Sequence, residues 1–486
     1  MSTSSSQTPR LKANAIGLVG SYAQAMAVTA PLGSVVSSLT VGALYAGANL
    51  PLVTLMAFLS SCFWVYLLTR FSKKINSAGG FYTYTSNSVG SKAGYTEAVT
   101  EFLAFLLTTV FEGMYVGIIV PPFLRIFGLS LPAWSWIPLT LLGIGLAIPL
   151  TYTDVAKTLT KYVAVGATLE VALLVGLSAY LIIQAGPANT LAVFTNTHLA
   201  PKGLSGLSTG FLLSVISIAG AGTATYLGEE TKIPSRTLRR GMWLAMLVGG
   251  GSMLLSSYAI VVAWGVGNAT TLGSANVPIV QLAARVSGVL ALAVVMLSVN
   301  SLIVSNVGTN MSASRILFSL SREGGAPATF SKVHESHKSP YVASLFVGVI
   351  AIIIGLAAPM IMGFMDAYSM VAIAASIFWI LGRLGDSVSL PLFYLKRFRE
   401  EFSVLKHLVP SAIISVINVL GLGLAIFPIT YPTNISIIFV VSAMICWVGG
   451  FMYFGRNREN MIGAYLVNDA GELVITSPPR PIAAKK

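Results

Sequence analysis

Two long apolar segments of this 486-residue chain contain residues that break a helix. In the first, Pro31 and Gly33 lie in the run 29–34, and in the sixth, Gly220 and Gly222 lie among small residues. Proline removes a backbone N–H and clashes with the preceding turn, and glycine loosens the helix further. A broken helix exposes N–H groups, which suit a carboxylate, and carbonyl groups, which suit an ammonium group or Na⁺. A zwitterionic amino acid needs both.

These breaks therefore predict a substrate site inside the membrane. The alternative is that Pro31 only kinks its helix and that the glycines let neighbouring helices pack closely. The candidate substrate-binding residues are Ala30, Pro31, Leu32, Gly33 and Ser34 at the first break, and Ser217, Ile218, Ala219, Gly220 and Gly222 at the second.

A charged side chain at the middle of a bilayer costs about 2.5–3.5 kcal/mol, so each one needs a reason. Glu170 lies well inside the fifth apolar segment. A buried carboxyl there can exchange a proton. It could also bind Na⁺ together with Asn300, Ser301 and Ser305, which lie at a similar depth in the eighth segment. The alternative is a carboxyl that is hydrogen-bonded for structure alone.

Other charged residues also lie in apolar segments. Arg383 and Asp386 are three residues apart, so they can pair on one helix face, and we favour a structural ion pair over a gating network. Glu112 has no obvious local partner and could pair with Arg383.

The composition excludes most soluble classes. Only 9% of the residues are charged, 55% are hydrophobic and the mean hydropathy is +0.81. A soluble domain carries about 25% charged residues. The two cysteines, Cys62 and Cys446, indicate neither a disulfide framework nor a metal site. The net charge of +13 fits loops that face anionic lipid better than a nucleic-acid partner.

We therefore predict an all-α polytopic membrane protein with about twelve transmembrane helices. No cleavage site for a signal peptide is evident, so the first helix is expected to be retained. The predicted spans are 14–41, 43–71, 94–124, 132–154, 158–185, 204–230, 238–266, 278–312, 340–362, 366–396, 409–429 and 433–455.

Nearly all of the 29 Lys and Arg residues fall on one side of this arrangement. Arg125 and Lys202 fall on the other side, and Arg285 and Arg383 fall inside predicted spans. Both termini are therefore expected in the cytoplasm. Breaks at matching positions five helices apart predict an inverted repeat. The predicted units are a tail 1–13, repeats 14–185 and 204–396, two last helices 409–455 and a tail 456–486.

Three stretches resemble the amino acid–polyamine–organocation (APC) permeases. They are the loop Ser77-Ala-Gly-Gly-Phe-Tyr-Thr-Tyr84, the segment Gly228-Glu-Glu-Thr-Lys-Ile-Pro234, and the helix end Ala313-Ser-Arg-Ile-Leu-Phe-Ser-Leu-Ser-Arg322. The resemblance implies a LeuT-like fold of five plus five helices with two more at the C-terminus. It also implies alternating access, with the N–H groups of 30–34 facing the substrate carboxylate. The amine would face the carbonyls of Ser217, Ile218 and Gly220.

One departure from the family limits the substrate. Many members carry an aromatic residue and then Gly-Phe-Glu at the sixth-helix break, where this chain has Ile218-Ala-Gly-Ala-Gly222. No carboxylate is present there for a cationic side chain, which argues against a dedicated arginine or polyamine carrier.

The sequence thus predicts a secondary active amino acid transporter in the plasma membrane, coupled to an ion gradient, with H⁺ preferred to Na⁺. The alternatives are an exchanger or uniporter of the same fold, or a receptor that does not transport. No enzyme motif, cofactor or nucleic-acid site is expected, and the partners are the amino acid and the bilayer. We expect a monomer or a weak homodimer.

Overall fold

The computed structural model describes residues 10–126, 128–152, 156–268, 271–272, 275, 277–427, 429, 431–454 and 461–476. Within these ranges eleven helices are long and apolar enough to cross a membrane. The first of these, Ser38–Phe71, is preceded by two shorter helices, Leu18–Thr29 and Pro31–Val36. Together with Ser38–Ala46 they form a helix that is interrupted twice and corresponds to the first predicted span. The prediction of an all-α polytopic membrane protein is therefore confirmed.

The helices and strands are numbered here along the chain. The helices of the first half are α1 (Leu18–Thr29), α2 (Pro31–Val36), α3 (Ser38–Ala46), α4 (Leu50–Phe71), α5 (Phe81–Ser88), α6 (Ser91–Ile126), α7 (Trp136–Gly145), α8 (Ala147–Tyr152), α9 (Ala156–Ala185) and α10 (Ala192–Thr195). Those of the second half are α11 (Gly203–Ser217), α12 (Pro234–Ala245), α13 (Gly251–Trp264), α14 (Pro278–Val286), α15 (Gly288–Arg322), α16 (Tyr341–Met362), α17 (Phe364–Arg397), α18 (Val409–Ile426) and α19 (Thr433–Phe454). Strands β1 (Tyr465–Val467) and β2 (Leu473–Ile475) pair antiparallel.

The boundary between the first two spans lies later than the sequence predicted. The first helix continues to Ala46, and Gly47, with φ +57°, turns the chain before Leu50 begins α4. Glycine adopts such a positive φ without the steric cost that other residues meet.

The eighth predicted span, 278–312, is divided in the structure. Ser287 is extended (φ −164°) and its side chain accepts a hydrogen bond from the N–H of Leu290, so it caps α15. The spanning helix therefore runs from Gly288 to Arg322. Arg285, which the sequence placed inside a span, lies at the end of the short α14 and stacks over the ring of Trp264 at 5.2 Å.

The two broken helices run antiparallel and meet at their breaks. α1 packs against the segment Ala219–Glu230, whereas α3 packs against α11. Helix α6 forms the centre of the bundle, since 94% of its most apolar window is buried, compared with 17% for α19. This arrangement encloses the breaks and leaves the last helix on the outside.

The predicted C-terminal tail 456–486 contains a folded part. Residues 461–476 form a hairpin that docks through Val467 N–H to the carbonyl of Asn76 (2.8 Å), and through Gly463 N–H to Glu323 Oε2 (2.9 Å). Residues 1–9, 456–460 and 477–486 of the two predicted tails, and residue 455 at the end of the last predicted span, lie outside the described ranges. The division into two repeats remains a prediction.

Candidate substrate and ion-coupling site

The first helix breaks at Ala30, between α1 and α2. Ala30 has φ +40° and ψ +66°, a left-handed conformation that costs an alanine about 1–2 kcal/mol. Pro31 begins α2, because proline cannot continue the preceding helix. A second interruption at Ser37 separates α2 from α3.

The second break is a change of helix type. Helix α11 ends at Ser217, and after Ile218 the chain continues as a 3₁₀ helix from Ala219 to Glu230. The glycines of this break do different things. A Cβ at Gly220 would lie 2.0 Å from the backbone nitrogen of Thr29, so Gly220 lets the two broken helices touch. A Cβ at Gly222 would instead lie 2.4 Å from the Trp64 ring.

Serine side chains join the two breaks at one buried junction. The Ser34 hydroxyl lies 2.8 Å from the carbonyl oxygen of Thr29 and 3.2 Å from that of Ser217. The hydroxyls of Ser38 and Ser217 lie 2.6 Å apart. The structure therefore brings the predicted residues of both breaks together, as a substrate site would require.

Glu170 lies beside the first break, and its side chain is almost fully buried (3% exposed). The Ser301 hydroxyl donates to Glu170 Oε2 (2.6 Å) and accepts from the N–H of Gly33 (3.1 Å). The N–H of Leu32 and the side chain of Asn300 face the same carboxylate. Three of the predicted ion-coupling residues thus converge at the start of α2.

This contact changes how the predicted N–H groups are used. Gly33 N–H is taken by Ser301, Leu32 N–H faces Glu170, and Ser34 N–H donates to the carbonyl of Ala30. Pro31 has no N–H to offer. The carboxylate of Glu170 therefore lies where a substrate carboxylate was predicted to bind.

Two cavities lie between one face of the bundle and this carboxylate. A small cavity next to Ala30, Glu170 and Asn300 shares its lining residues Ala27 and Val163 with a larger cavity. The larger cavity, about 890 Å³ including its mouth, opens beside side chains on the same face as the N-terminal residues, among them Lys12, Glu230 and Arg315. The shared residues Ala27 and Val163 are buried and pack with Val304, so this small apolar cluster separates Glu170 from the larger cavity.

Ser305 does not join the Glu170 group. It faces Glu112 across the contact between α6 and α15. Neither the Ser305 hydroxyl nor Glu112 Oε2 has a hydrogen-bond partner within the described part of the chain. Glu112 forms no ion pair with Arg383 there either.

Arg383 and Asp386 do not form the direct ion pair that their spacing suggested. Arg383 donates through Nη1 to the Ser61 hydroxyl (2.9 Å) and lies 4.4 Å above the ring of Trp64. Asp386 accepts from Trp64 Nε1 (2.8 Å). Trp64 therefore stands between the two charges, because its ring offers an electron-rich face to the cation and an N–H to the acid.

Sequence reasoning passed over two acids that join Asp386. Carboxylate oxygens of Glu97, Glu101 and Asp386 all lie within 4.8 Å of one another, and all three side chains are buried. Tyr226 donates to Glu101 at 2.7 Å. The four-residue spacing of the two glutamates in an apolar helix was the available signal. Although no metal site was expected, three such carboxylates could hold a cation or share a proton.

Two buried ion pairs link the segment that begins at Gly228 to the helix end that begins at Ala313, the second and third stretches that resemble the APC permeases. Arg322 contacts both carboxylate oxygens of Glu229, and their side chains are 2% and 5% exposed. Arg315 lies 2.7 Å from Glu230. The pairs tie the end of α15 to the end of the 3₁₀ segment.

A polytopic helical bundle in which two broken helices cross at a buried polar junction has the architecture of a secondary transporter. Residues 20–462 match the sequence model of the amino acid permease family. The chain belongs to this family, a member of the APC superfamily, and is a permease, not an enzyme.

The relatives of this chain are distant, and their names refer to different substrates. The chain is 24% identical to the branched-chain amino acid permease BcaP of Bacillus subtilis (strain 168), over 66% of this chain and 70% of that protein. It is 26% identical to the gamma-aminobutyric acid permease of Escherichia coli (strain K12), over 64% and 67% of the two chains. It is 22% identical to the low-affinity putrescine importer PlaP of the same strain, over 68% and 71%.

Proposed function

We propose that this permease is a secondary active transporter that carries neutral amino acids by alternating access and couples their movement to H⁺ through Glu170. The observation that carries the proposal is the position of Glu170. Its carboxylate faces the N–H of Leu32 and is bound by Ser301, which in turn accepts from Gly33.

The substrate class follows from the family and from the lining of the junction. The relatives are named for a branched-chain amino acid, gamma-aminobutyric acid and putrescine, so the family alone leaves the substrate open. At the second break Ile218 and Ala219 offer no charge to a cationic side chain. A neutral amino acid fits this surface better than arginine or a polyamine.

Coupling follows from competition between two carboxylates for one place. While Glu170 is ionised, its negative charge holds the N–H groups at the start of α2 and repels a substrate carboxylate. A proton on Glu170 removes that charge. The N–H of Leu32 and the Ser301 hydroxyl then become available to the substrate. Proton and amino acid would therefore bind together.

Na⁺ is the second candidate ion, and the same contacts support it. The Glu170 carboxylate, the Ser301 hydroxyl and the Asn300 amide oxygen are hard oxygen ligands of the kind that such cations take. The Asn300 oxygen, however, also accepts a hydrogen bond from the hydroxyl of Tyr162. That bond leaves it less free to hold a cation, so we prefer H⁺.

The direction of access rests on charge and on the cavity. The excess of Lys and Arg on the side of the N-terminal tail supports an orientation with both termini in the cytoplasm, and we place the permease in the plasma membrane. The larger cavity opens on that side and reaches toward Glu170. We propose that this is the inward-facing state and that one chain is the transport unit.

Purified protein in liposomes tests this function. Radiolabelled leucine, alanine, arginine and putrescine would be offered under an inward pH gradient, an inward Na⁺ gradient or neither. We expect saturable uptake of a neutral amino acid that the pH gradient raises and a protonophore abolishes.

Other outcomes distinguish the alternatives. Uptake driven by Na⁺ alone would reassign the ion. Counterflow that no gradient changes would indicate an exchanger or uniporter, and saturable binding without flux would indicate a receptor.

A further inference from the structure

A strongly basic pocket lies on the bundle surface, away from the substrate junction. It forms where the end of α4, the start of α12 and the π-helical turn Val404–Leu408 before α18 come together. The pocket encloses about 1190 Å³ including its mouth. Its lining includes six cations from three distant parts of the chain: Arg70, Lys73, Lys74, Arg236, Arg239 and Lys406.

These charges are poorly neutralised by the protein. Glu401 is the lining carboxylate, and it pairs with Lys74 at 2.6 Å. Among the residues that the structure describes, no carboxylate lies within 4 Å of the side-chain nitrogens of Lys73, Arg236, Arg239 or Lys406. Asp469 lies nearby, but it is bound to the backbone N–H and hydroxyl of Ser235 (3.1 and 2.6 Å).

The neighbouring positive charges affect the ionisation of Lys73. Partial burial, followed by the positive charges of Arg70, Arg239 and Lys74, lowers the pKa of Lys73. Cations held this close repel one another, and an anion between them would relieve the repulsion.

The floor of the pocket is formed before any ligand binds. Arg70 donates to the hydroxyl of Tyr66 through Nε (3.0 Å) and Nη2 (2.6 Å), which fixes its guanidinium group. Tyr394 donates to the carbonyl of Arg70, and its ring stacks on His407 at 3.8 Å. An anion therefore meets at least one cation, Arg70, that is already positioned.

Apolar side chains are also exposed on the segments that line the pocket. Leu405 is 77% exposed beside Lys406, and Leu247 is 56% exposed further along the span that begins with α12. A ligand with a charged head and apolar tails could contact both the basic pocket and the apolar side chains, whereas a free inorganic ion would contact the pocket alone.

We propose that this basic pocket binds the phosphate headgroup of an anionic phospholipid, with the acyl chains lying against the adjacent apolar helix surfaces. The phosphate would be held by Lys73, Arg236, Arg239 and Lys406 together. Because α4, α12 and α18 all border the pocket, the bound lipid would also link these three helices.

Lipid binding to the full chain tests the proposal. Purified wild-type protein would be titrated with phosphatidylglycerol or phosphatidylcholine and followed by native mass spectrometry and by melting temperature. The test variant replaces Lys73, Arg236 and Arg239 with glutamine. The control replaces three exposed cations elsewhere, Lys161, Lys332 and Lys338, and so changes the net charge equally.

We expect wild-type protein and the control to bind phosphatidylglycerol preferentially and to melt at a higher temperature with it. The pocket variant should bind this lipid on the order of a hundredfold more weakly, at about fivefold for each cation removed. Since these side chains lie at the surface, the single variant Arg236→Gln provides a milder test, with about fivefold weaker binding, should the triple variant fold poorly.

Three results would overturn the proposal. One is equal binding of the two lipids by the wild type. Another is equal loss of binding in the pocket and control variants, which would show a non-specific attraction. The third is that inorganic phosphate or glycerol phosphate stabilises the protein as strongly as phosphatidylglycerol, which would assign the pocket to a soluble anion.

Discussion

A single methyl group at position 220 should separate the two broken helices. An alanine Cβ there would lie 2.0 Å from the backbone nitrogen and 2.6 Å from the Cα of Thr29, whereas ordinary contact begins near 3.4 Å. Backbone atoms cannot rotate out of the way. The segments must therefore move apart by the difference between 3.4 and 2.0 Å, about 1.4 Å. Overpacking of this kind costs about 1–3 kcal/mol.

Gly220→Ala should consequently lower the melting temperature and weaken substrate binding. Strain that is equal in the free and the bound state lowers stability alone, whereas strain that grows when the substrate enters the junction also lowers affinity. We expect about tenfold weaker binding, since tenfold corresponds to about 1.4 kcal/mol. Differential scanning fluorimetry and equilibrium binding of the best substrate measure the two effects.

Gly176→Ala is the matched control. Gly176 lies within α9, and a Cβ there meets no atom within 4 Å, so stability should stay the same or rise slightly. If Gly220→Ala behaved like Gly176→Ala in both assays, the helices would not cross where we place them, and the substrate site would lie elsewhere.

Three further predictions concern buried contacts around the site. Arg322→Ala should lower stability by about 3–5 kcal/mol, because Glu229 would remain buried without its cation. Ser301→Ala removes the donor to Glu170 and the acceptor of the Gly33 N–H. It should lower the free energy of unfolding, measured by chemical denaturation, by about 1–3 kcal/mol. Burial raises the pKa of Glu323 from 4.5 to about 7, and the N–H that Gly463 of the hairpin donates to it opposes this rise. The folded chain should therefore be most stable below pH 4.5 and lose stability as the pH rises to 7. The melting temperature across this pH range measures the loss.

Each of these has its own control. The control for Arg322→Ala is removal of the more exposed ion pair between Lys74 and Glu401, whose side chains are 24% and 54% exposed. Removing that pair should lower the free energy of unfolding by at most about 1 kcal/mol. For Ser301→Ala, the control is Ser305→Ala, one helical turn away, where no described partner is lost. For the pH prediction, Glu323→Gln should remove the part of the pH dependence that Glu323 contributes. Equal effects in a variant and its control, or a pH dependence that Glu323→Gln leaves unchanged, would contradict the assignment.

The sequence located the first break because Pro31 cannot continue a helix, whatever surrounds it. It could not place the left-handed residue, since alanine rarely adopts that conformation and only the surrounding packing holds Ala30 there. The glycines of the second break were visible, but their roles were not. Gly220 faces the backbone of α1 and Gly222 faces Trp64, a difference that depends on tertiary neighbours.

Depth along a helix identified Glu170 with Ser301 and Asn300, yet it also grouped Ser305, which faces Glu112 instead. Depth says nothing about which neighbour a side chain meets. Arg383 illustrates the same limit, because spacing along one helix could not reveal Trp64 of another helix between it and Asp386.

The C-terminal hairpin carried a readable signal that was missed. Two short apolar runs, 465–467 and 473–475, flank a turn-forming stretch that ends in Gly471, a pattern typical of a hairpin. Its docking on Asn76 and Glu323 could not be read from the sequence, because those contacts join residues far apart in the chain.

The most direct test of the account is Glu170→Gln in proteoliposomes, measured in two ways. Glutamine keeps the size of the side chain and cannot carry the negative charge or exchange the proton. We predict that uptake driven by a pH gradient is lost, whereas exchange of internal for external amino acid continues. Uptake that still follows the pH gradient in this variant would contradict the coupling proposed here.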